Sequence, residues 1–210
     1  MQDTDRDLSG IVARALADFA ASGDPASLEN AKARHLGKGG ELSALQATLK
    51  APHKNITCSD EQLNATTING NLEVKDGHWC DLVRVTVTGD VHLHGSAGIR
   101  IAGSKIGHDL EADKTSGASD PMSSGANVIC NTQVGHDLHI HNSDTGSPWR
   151  IGQCGPVTVG HDAHFDHNAG SGNTVSNTTV AHDLSCDKNH DVAGSNNSAG
   201  HKKDKQCAHL

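Results

Sequence analysis

Val134-Gly135-His136-Asp137-Leu138 is followed by Val159-Gly160-His161-Asp162-Ala163 and then by Val180-Ala181-His182-Asp183-Leu184. The same phrase runs upstream as Ile106-Gly107-His108-Asp109-Leu110, Val87-Thr88-Gly89-Asp90-Val91 and Ile68-Asn69-Gly70-Asn71-Leu72. With Asn71, Asp90, Asp109, Asp137, Asp162 and Asp183 as markers, the intervals are 19, 19, 28, 25 and 21 residues. Such an interval suits one coil of a parallel β-solenoid, in which equivalent side chains pile into columns. Each marker opens a run of alternating apolar residues, as in Leu72/Val74, Val91/Leu93, Leu138/Ile140 and Ala163/Phe165. A strand of that pattern cannot bury its apolar face alone, and stacking coils buries it.

The sequence therefore predicts an all-β fold, a right-handed parallel β-helix of about six coils over residues 53–210, behind a short α-helical segment over residues 1–52. The Gly before the Asx is expected to supply the left-handed or tight geometry of a corner, and the Asx to hydrogen-bond from coil to coil. The longer intervals predict loops pushed out of one corner, at Thr115–Ala126 and Ser143–Pro148. An antiparallel sandwich of short strands is the alternative, but it gives no reason for one pentapeptide to return at coil spacing.

Composition narrows the function classes. Of 210 residues, 25 are acidic and 17 basic, a formal charge of −8, and only 2% are aromatic. Nucleic-acid readers and sugar-binding grooves rely on flat rings, and polyanion or anionic-membrane partners call for basic runs, so neither class is favoured. No apolar run approaches the roughly 20 residues of a membrane span. Histidine is abundant at 16 residues, enough to carry the charge from −8 to +8 if all were protonated.

In the N-terminal segment Leu8, Val12, Leu16 and Phe19 line one face of a first helix. Gly23 supplies a stop, Asp24 an N-cap and Pro25 a first-turn residue. A second helix runs through Leu28, Ala31 and His35 to Leu36 and closes at Gly37, and a third carries Leu42, Leu45 and Leu49 before the Pro52 region. The stretch Ser27-Leu28-Glu29-Asn30-Ala31-Lys32-Ala33-Arg34-His35-Leu36-Gly37-Lys38-Gly39-Gly40-Glu41-Leu42 resembles the N-terminal helical arm of the bacterial phenylalanyl-tRNA synthetase alpha subunit. In that family amino-acid activation belongs to a separate class II domain, and nothing after residue 51 looks like one. The resemblance implies at most a tRNA-related remnant.

Residues 56–210 resemble small secreted bacterial β-helix proteins of unassigned function, which carry repeated V-x-G-[DN]-[LV] phrases and a Cys-bounded ending. Here Gly77-His78-Trp79-Cys80 supplies the early Cys, and Leu184-Ser185-Cys186 with Asp204-Lys205-Gln206-Cys207 the ending. The departure is His before the Asx in four consecutive copies.

Six cysteines allow fifteen pairings. Paired in order, Cys58 with Cys80, Cys130 with Cys154 and Cys186 with Cys207 are separated by 22, 24 and 21 residues, each about one coil, so three rung-to-rung disulfides are expected. No C-x-x-C pair supports a thiolate metal site. An even count without one points to an oxidising compartment, hence an extracellular, cell-surface or periplasmic setting. Against this, Asp3, Asp5, Asp7, Arg14 and Asp18 leave residues 1–20 without the features of a signal peptide.

The candidate chemistry lies in the histidines. His108, His136, His161 and His182 are expected to form a column along one edge, each followed by an Asp. His92/His94, His139/His141 and His164 stand on strands where positions i and i+2 share a face. Neighbouring rungs would gather three or four imidazoles, a ligand set for Zn, Cu or Ni, with no cofactor required by the fold. The competing reading is a solvent-facing polar ladder, which would loosen on protonation below about pH 6.

Catalytic patterns are weak. A β-helix lyase needs an acidic calcium cluster beside a basic residue, and after residue 51 the only Arg are Arg84, Arg100 and Arg150. No G-x-S-x-G elbow, P-loop or dinucleotide fingerprint occurs. The expectation is a non-enzymatic structural or surface solenoid, self-assembling end to end into homo-oligomers or filaments where its ends are open. A carbohydrate-active β-helix enzyme is the alternative.

Overall fold

The computed structural model describes residues 2–49, 53–116, 125–144 and 146–210, with residues 2–9 and 47–49 described by backbone alone. Two compact units divide it, Met1–Pro52 and His53–Leu210.

The first unit has three helices, α1 (Gln2–Ala21), α2 (Pro25–Leu36) and α3 (Glu41–Leu49). Asp24 caps α2 as expected: its Oδ1 accepts from Ser27 N at 2.9 Å and the Ser27 hydroxyl accepts from Asp24 N. The expected apolar face of α1 is displaced. Val12 and Leu16 are 47% and 63% exposed, whereas Ala15 is buried with Ala31 and His35 of α2. Small Ala side chains permit close helix approach, and Asp18 draws in His35, whose Nε2 lies 2.8 Å from Asp18 and Nδ1 3.2 Å from Glu41. The Leu8 side chain and the Pro52 region lie outside the described residues.

The second unit is a parallel β-solenoid of about seven turns. Its coils are β1 (Ile56–Cys58), β2 (Glu61–Asn64), β3 (Thr67–Ile68); β4 (Leu72–Val74), β5 (Trp79–Val83), β6 (Thr86–Val87); β7 (Val91–His94), β8 (Gly98–Ala102), β9 (Lys105–Ile106); and β10 (Leu110–Asp113), β11 (Asn127–Cys130), β12 (Thr132–Val134). They continue as β13 (Leu138–His141), β14 (Trp149–Ile151), β15 (Val157–Val159); β16 (Ala163–Asp166), β17 (Thr174–Val175), β18 (Thr178–Val180); and β19 (Leu184–Asp187), β20 (Ser198–Ala199), followed by β21 (Lys203–Lys205) and a 3-10 helix, Gln206–His209. Three sheets of eight, six and seven strands result, and their strands pair in parallel.

Register follows the markers. Leu72, Val91, Leu110, Leu138, Ala163 and Leu184 pair in succession and are all buried. Burying one such Val or Leu stabilises the fold by about 1.5–3 kcal/mol relative to leaving it exposed. The inward partners Val74, Leu93, Ile140 and Phe165 complete the second column.

Three expectations are corrected. The count is about seven coils rather than six, because the first coil opens at Asn55-Ile56 with no Gly-Asx phrase to announce it. The corner glycines follow the tight half of their expectation and not the left-handed half: of those in the six phrases only Gly70 has a positive φ, at 150°. Gly135 and Gly160 answer instead to a close approach, since a Cβ on either would lie 2.1 Å from the preceding rung's glycine carbonyl oxygen. The left-handed corners fall after the strands of the first two sheets, at Gly95, Lys114, Asn142, His167 and Lys188, and at Ala65, Arg84, Gly103, Asn131 and Asn177.

Thirdly, Ser143–Pro148 is not simply an outward loop. Ser143 and Ser147 are buried, with Thr115 Oγ1 2.7 Å from Ser143 Oγ and the fully buried Trp149 donating its Nε1–H to Ser143 Oγ at 2.9 Å. Residue 145 of this segment and residues 117–124 of the Thr115–Ala126 segment lie outside the described residues.

All six cysteines pair in chain order, with Cα separations of 6.0, 5.4 and 5.1 Å. They bridge successive coils, but not at register-equivalent positions. Cys80 pairs in register with Glu61, three residues past Cys58, and Cys186 with Lys205, two residues before Cys207. Equivalent side chains on parallel rungs point the same way about 4.8 Å apart, whereas a disulfide needs Cβ atoms near 3.8 Å, so an offset is required. Three disulfides fit an oxidising, extracellular environment. Among the described residues, no helix is long and apolar enough to cross a membrane.

Candidate functional site

The corner before the eight-stranded sheet is built from the Asx column. Asn55 Oδ1 accepts from Asn71 N at 3.0 Å, Asn71 Oδ1 from Asp90 N at 3.0 Å, and Asp90 Oδ1 from Asp109 N at 3.2 Å. The run continues through Asp109 to Asp137 N at 3.0 Å, Asp137 to Asp162 N at 2.9 Å, Asp162 to Asp183 N at 3.0 Å and Asp183 to Lys202 N at 3.2 Å. Short side chains are required, because the acceptor must reach exactly one rung along the stack. Asn55 and Lys202, the two ends, were not among the expected markers.

The histidines that precede the Asp residues stack beside this ladder. Backbone bonds link His136 to His108, His161 to His136, His182 to His161 and His201 to His182, each at 3.0 Å. His201 is a member that the Gly-His-Asp pattern misses, since Lys202 stands where the Asp would be. The His136 and His161 rings are parallel within 3° at 4.8 Å, and those of His161 and His182 are inclined by 42° at 4.4 Å.

Carboxylates of the previous rung meet these rings. His136 Nδ1 lies 2.9 Å from Asp109 Oδ1, His161 Nδ1 2.8 Å from Asp137 Oδ1 and His201 Nδ1 2.8 Å from Asp183 Oδ1. His108 Nδ1 is further from Asp90, at 3.7 Å. The hydrogen bond to Asp109 raises the His136 pKa against the opposing effect of its partial burial. Burial pushes Asp137 up, but hydrogen bonds from Asp162 N and His161 outweigh it and hold its pKa below the usual value.

The expected loosening in mild acid is thereby reversed at His136. A histidine whose folded pKa exceeds its unfolded value stabilises the fold fully below the unfolded pKa of about 6.5, and this contribution fades as pH rises through the folded value.

The strand histidines lie on the outer face of the same sheet, where His92, Glu111, His139, His164 and Ser185 pair in succession. Acid residues separate most of them: His92 Nδ1 is 3.5 Å from Glu111, His94 Nδ1 is 3.0 Å from Asp113, and His141 lies 3.6 Å from Glu111 and 3.5 Å from Asp113. His139 and His164 meet edge to face at 5.1 Å. With His141, Asn142, Asp166 and His167 they line an open depression of about 370 Å³.

Among the described residues, two groups place three ligand atoms within 4.8 Å of one another: His136, Asp137 and His161, and His161, Asp162 and His182. Both belong to the corner. The expected set His92, His94, His139, His141 and His164 forms no group of that tightness, and His108 joins neither. No family model matches the chain, and comparison with curated proteins and with solved structures returns no match.

Proposed function

We propose that this chain is a non-enzymatic structural solenoid of the cell surface or extracellular space, offering regular faces for binding. The observation that supports this reading is the corner ladder, in which each Asx side chain holds the next rung without a break from Asn55 to Lys202. A corner clamped at every step, beside three coil-to-coil disulfides, makes a stiff scaffold.

The C-terminal end is covered. Cys207 of the 3-10 helix joins the core, Leu210 packs against it, and Gln206 Oε1 accepts from Asn189 N at 3.0 Å. This cover opposes open-ended stacking at the eight-stranded sheet and leaves self-association to the other outermost strands, β1, β2 and β3 at one end and β17 and β20 at the other. A carbohydrate-active enzyme is favoured by one feature, the His- and Asp-lined depression on the sheet face. Two candidate cations for such an enzyme are already engaged: Arg100 forms a bidentate pair with the buried Asp81, at 2.8 Å twice, and Arg84 bonds Asn64.

The test incubates oxidised full-length protein with a panel of acidic polysaccharides and follows product release, with sedimentation over a concentration series. No turnover and no polymer growth are expected. Turnover abolished by Asp166→Asn would replace the structural reading with the enzymatic one, and filaments lengthening with concentration would overturn the covered end.

A further inference from the structure

The two corner groups are unequal as ligand sets. His136 and His161 are parallel within 3°, so their in-plane lone pairs run side by side and do not converge on one ion. His136 Nδ1 is moreover taken by Asp109 at 2.9 Å and Asp137 at 3.2 Å. The second group lacks the first obstacle, and the second applies to only one of its rings, His161, whose Nδ1 meets Asp137 Oδ1 at 2.8 Å. His161 and His182 are inclined by 42°, and a carboxylate oxygen of Asp162 completes three ligand atoms within 4.8 Å.

Asp162 is already aimed for this task. Its Oδ1 accepts from Asp183 N at 3.0 Å, fixing the carboxylate, while Oδ2 lies 3.4 Å from His161 Nδ1. At metal–ligand lengths of about 2.0–2.2 Å, two ligands 3.4 Å apart subtend a near-tetrahedral angle at one ion. Asp137 Oδ1, 2.8 Å from the same Nδ1, gives up that hydrogen bond when Nδ1 ligates an ion and leaves a second negative charge beside the position. The His182 ring nitrogens have no hydrogen-bond partner among the described residues, its ring contact being with His161. His182 is exposed and the group faces solvent, leaving room for water to fill the remaining coordination positions.

We propose that His161, Asp162 and His182 form a binding site for one transition-metal dication of the Zn, Cu or Ni class. Two imidazoles and one carboxylate are a donor set such borderline dications prefer over Ca or Mg, and the net charge of −8 concentrates cations around the molecule. The site adds binding to a chain read as structural, and it stands or falls independently of that role.

The test titrates ZnCl2, CuCl2 and NiCl2 separately into the oxidised full-length protein by calorimetry, in a non-coordinating buffer at neutral pH. One ion per chain is expected for at least one metal, with affinity lowered about tenfold or more by His182→Asn and by His161→Asn. His108→Asn, outside the group, is expected to leave it unchanged. His182→Asn is decisive because its ring anchors no neighbour by a hydrogen bond, and its rung bonds are made by the backbone. His161→Asn removes the bond to Asp137, so its fold is checked by circular dichroism. Absence of binding, wild-type affinity in His182→Asn, or several equivalent weak sites lost in proportion to the number of histidines removed would each overturn the proposal.

Discussion

Replacing Asp137 by Ala deletes one rung of the corner ladder and leaves its neighbours in place. The Asp137 side chain is 20% exposed, accepts from Asp162 N at 2.9 Å and meets His161 Nδ1 at 2.8 Å. A hydrogen bond to a charged acceptor contributes about 1.5–3 kcal/mol, and water at the half-open corner recovers part of that when the acceptor goes. The expected loss is about 1.5–2.5 kcal/mol, which in a unit of this size lowers Tm by roughly 3–10 °C. Asp137→Asn keeps the acceptor and is expected to lose less than about 1 kcal/mol, since Asn71 holds Asp90 N at 3.0 Å in the equivalent place. The assay is urea and thermal unfolding with disulfides intact and a chelator present. Equal destabilisation by Asn and Ala, or an Ala variant as stable as wild type, would refute the claim that coil-to-coil acceptance is what the Asx column does.

The disulfides give a second expectation: intact mass under non-reducing conditions lacks three pairs of hydrogens, and no native thiol alkylates. The double variant Cys130→Ser/Cys154→Ser, which opens a link of sequence separation 24, is expected to lose about 3 kcal/mol in chemical unfolding. Acid stability follows from carboxylates held below their usual range. In Asp60 the chief cause is the Trp79 N–H, in Asp187 the Lys205 ammonium, and in Asp191 burial is outweighed by the N–H groups of Gly172 and Asn173. Their folded pKa values lie below the unfolded value, so their stabilisation is present above about pH 4 and is lost as pH falls through the folded values. Thermal midpoints are therefore expected to hold from neutrality to about pH 4 and drop below it, and a steep drop already near pH 6 would contradict these pairings.

The solenoid was legible because its marker is polar and periodic. An Asx that must reach one rung along the stack recurs at successive coils, and buried residues alternate beside it, from Leu72/Val74 to Leu184/Cys186. The ends were harder to read. Asn55 needs no Gly before it because no earlier rung crowds it, and Lys202 needs no acceptor because no later rung donates to it. Left-handed corners occupied by Lys114, Arg84, His167 and Ala65 carry no Gly to betray them. Pairing of the cysteines followed from their spacing, but their offset depends on the direction of Cβ, which spacing does not encode. The site residues divide on similar lines. Spacing placed His161 and His182 in one column, whereas the inclination of their rings, which separates a ligand pair from a stacked pair, belongs to side-chain packing. On α1 a regular apolar stripe pointed to Val12 and Leu16, but a hydrogen-bonded His35 turned the neighbouring face inward.

The central claim is that equivalent residues of successive coils lie side by side in parallel register. Nuclear Overhauser contacts in isotopically labelled, oxidised protein measure this directly along the outer column of the eight-stranded sheet. Backbone contacts linking Glu111 to His139, His139 to His164 and His164 to Ser185 are expected. Contacts pairing these strands with chain-adjacent neighbours in antiparallel register, in place of that series, would contradict it.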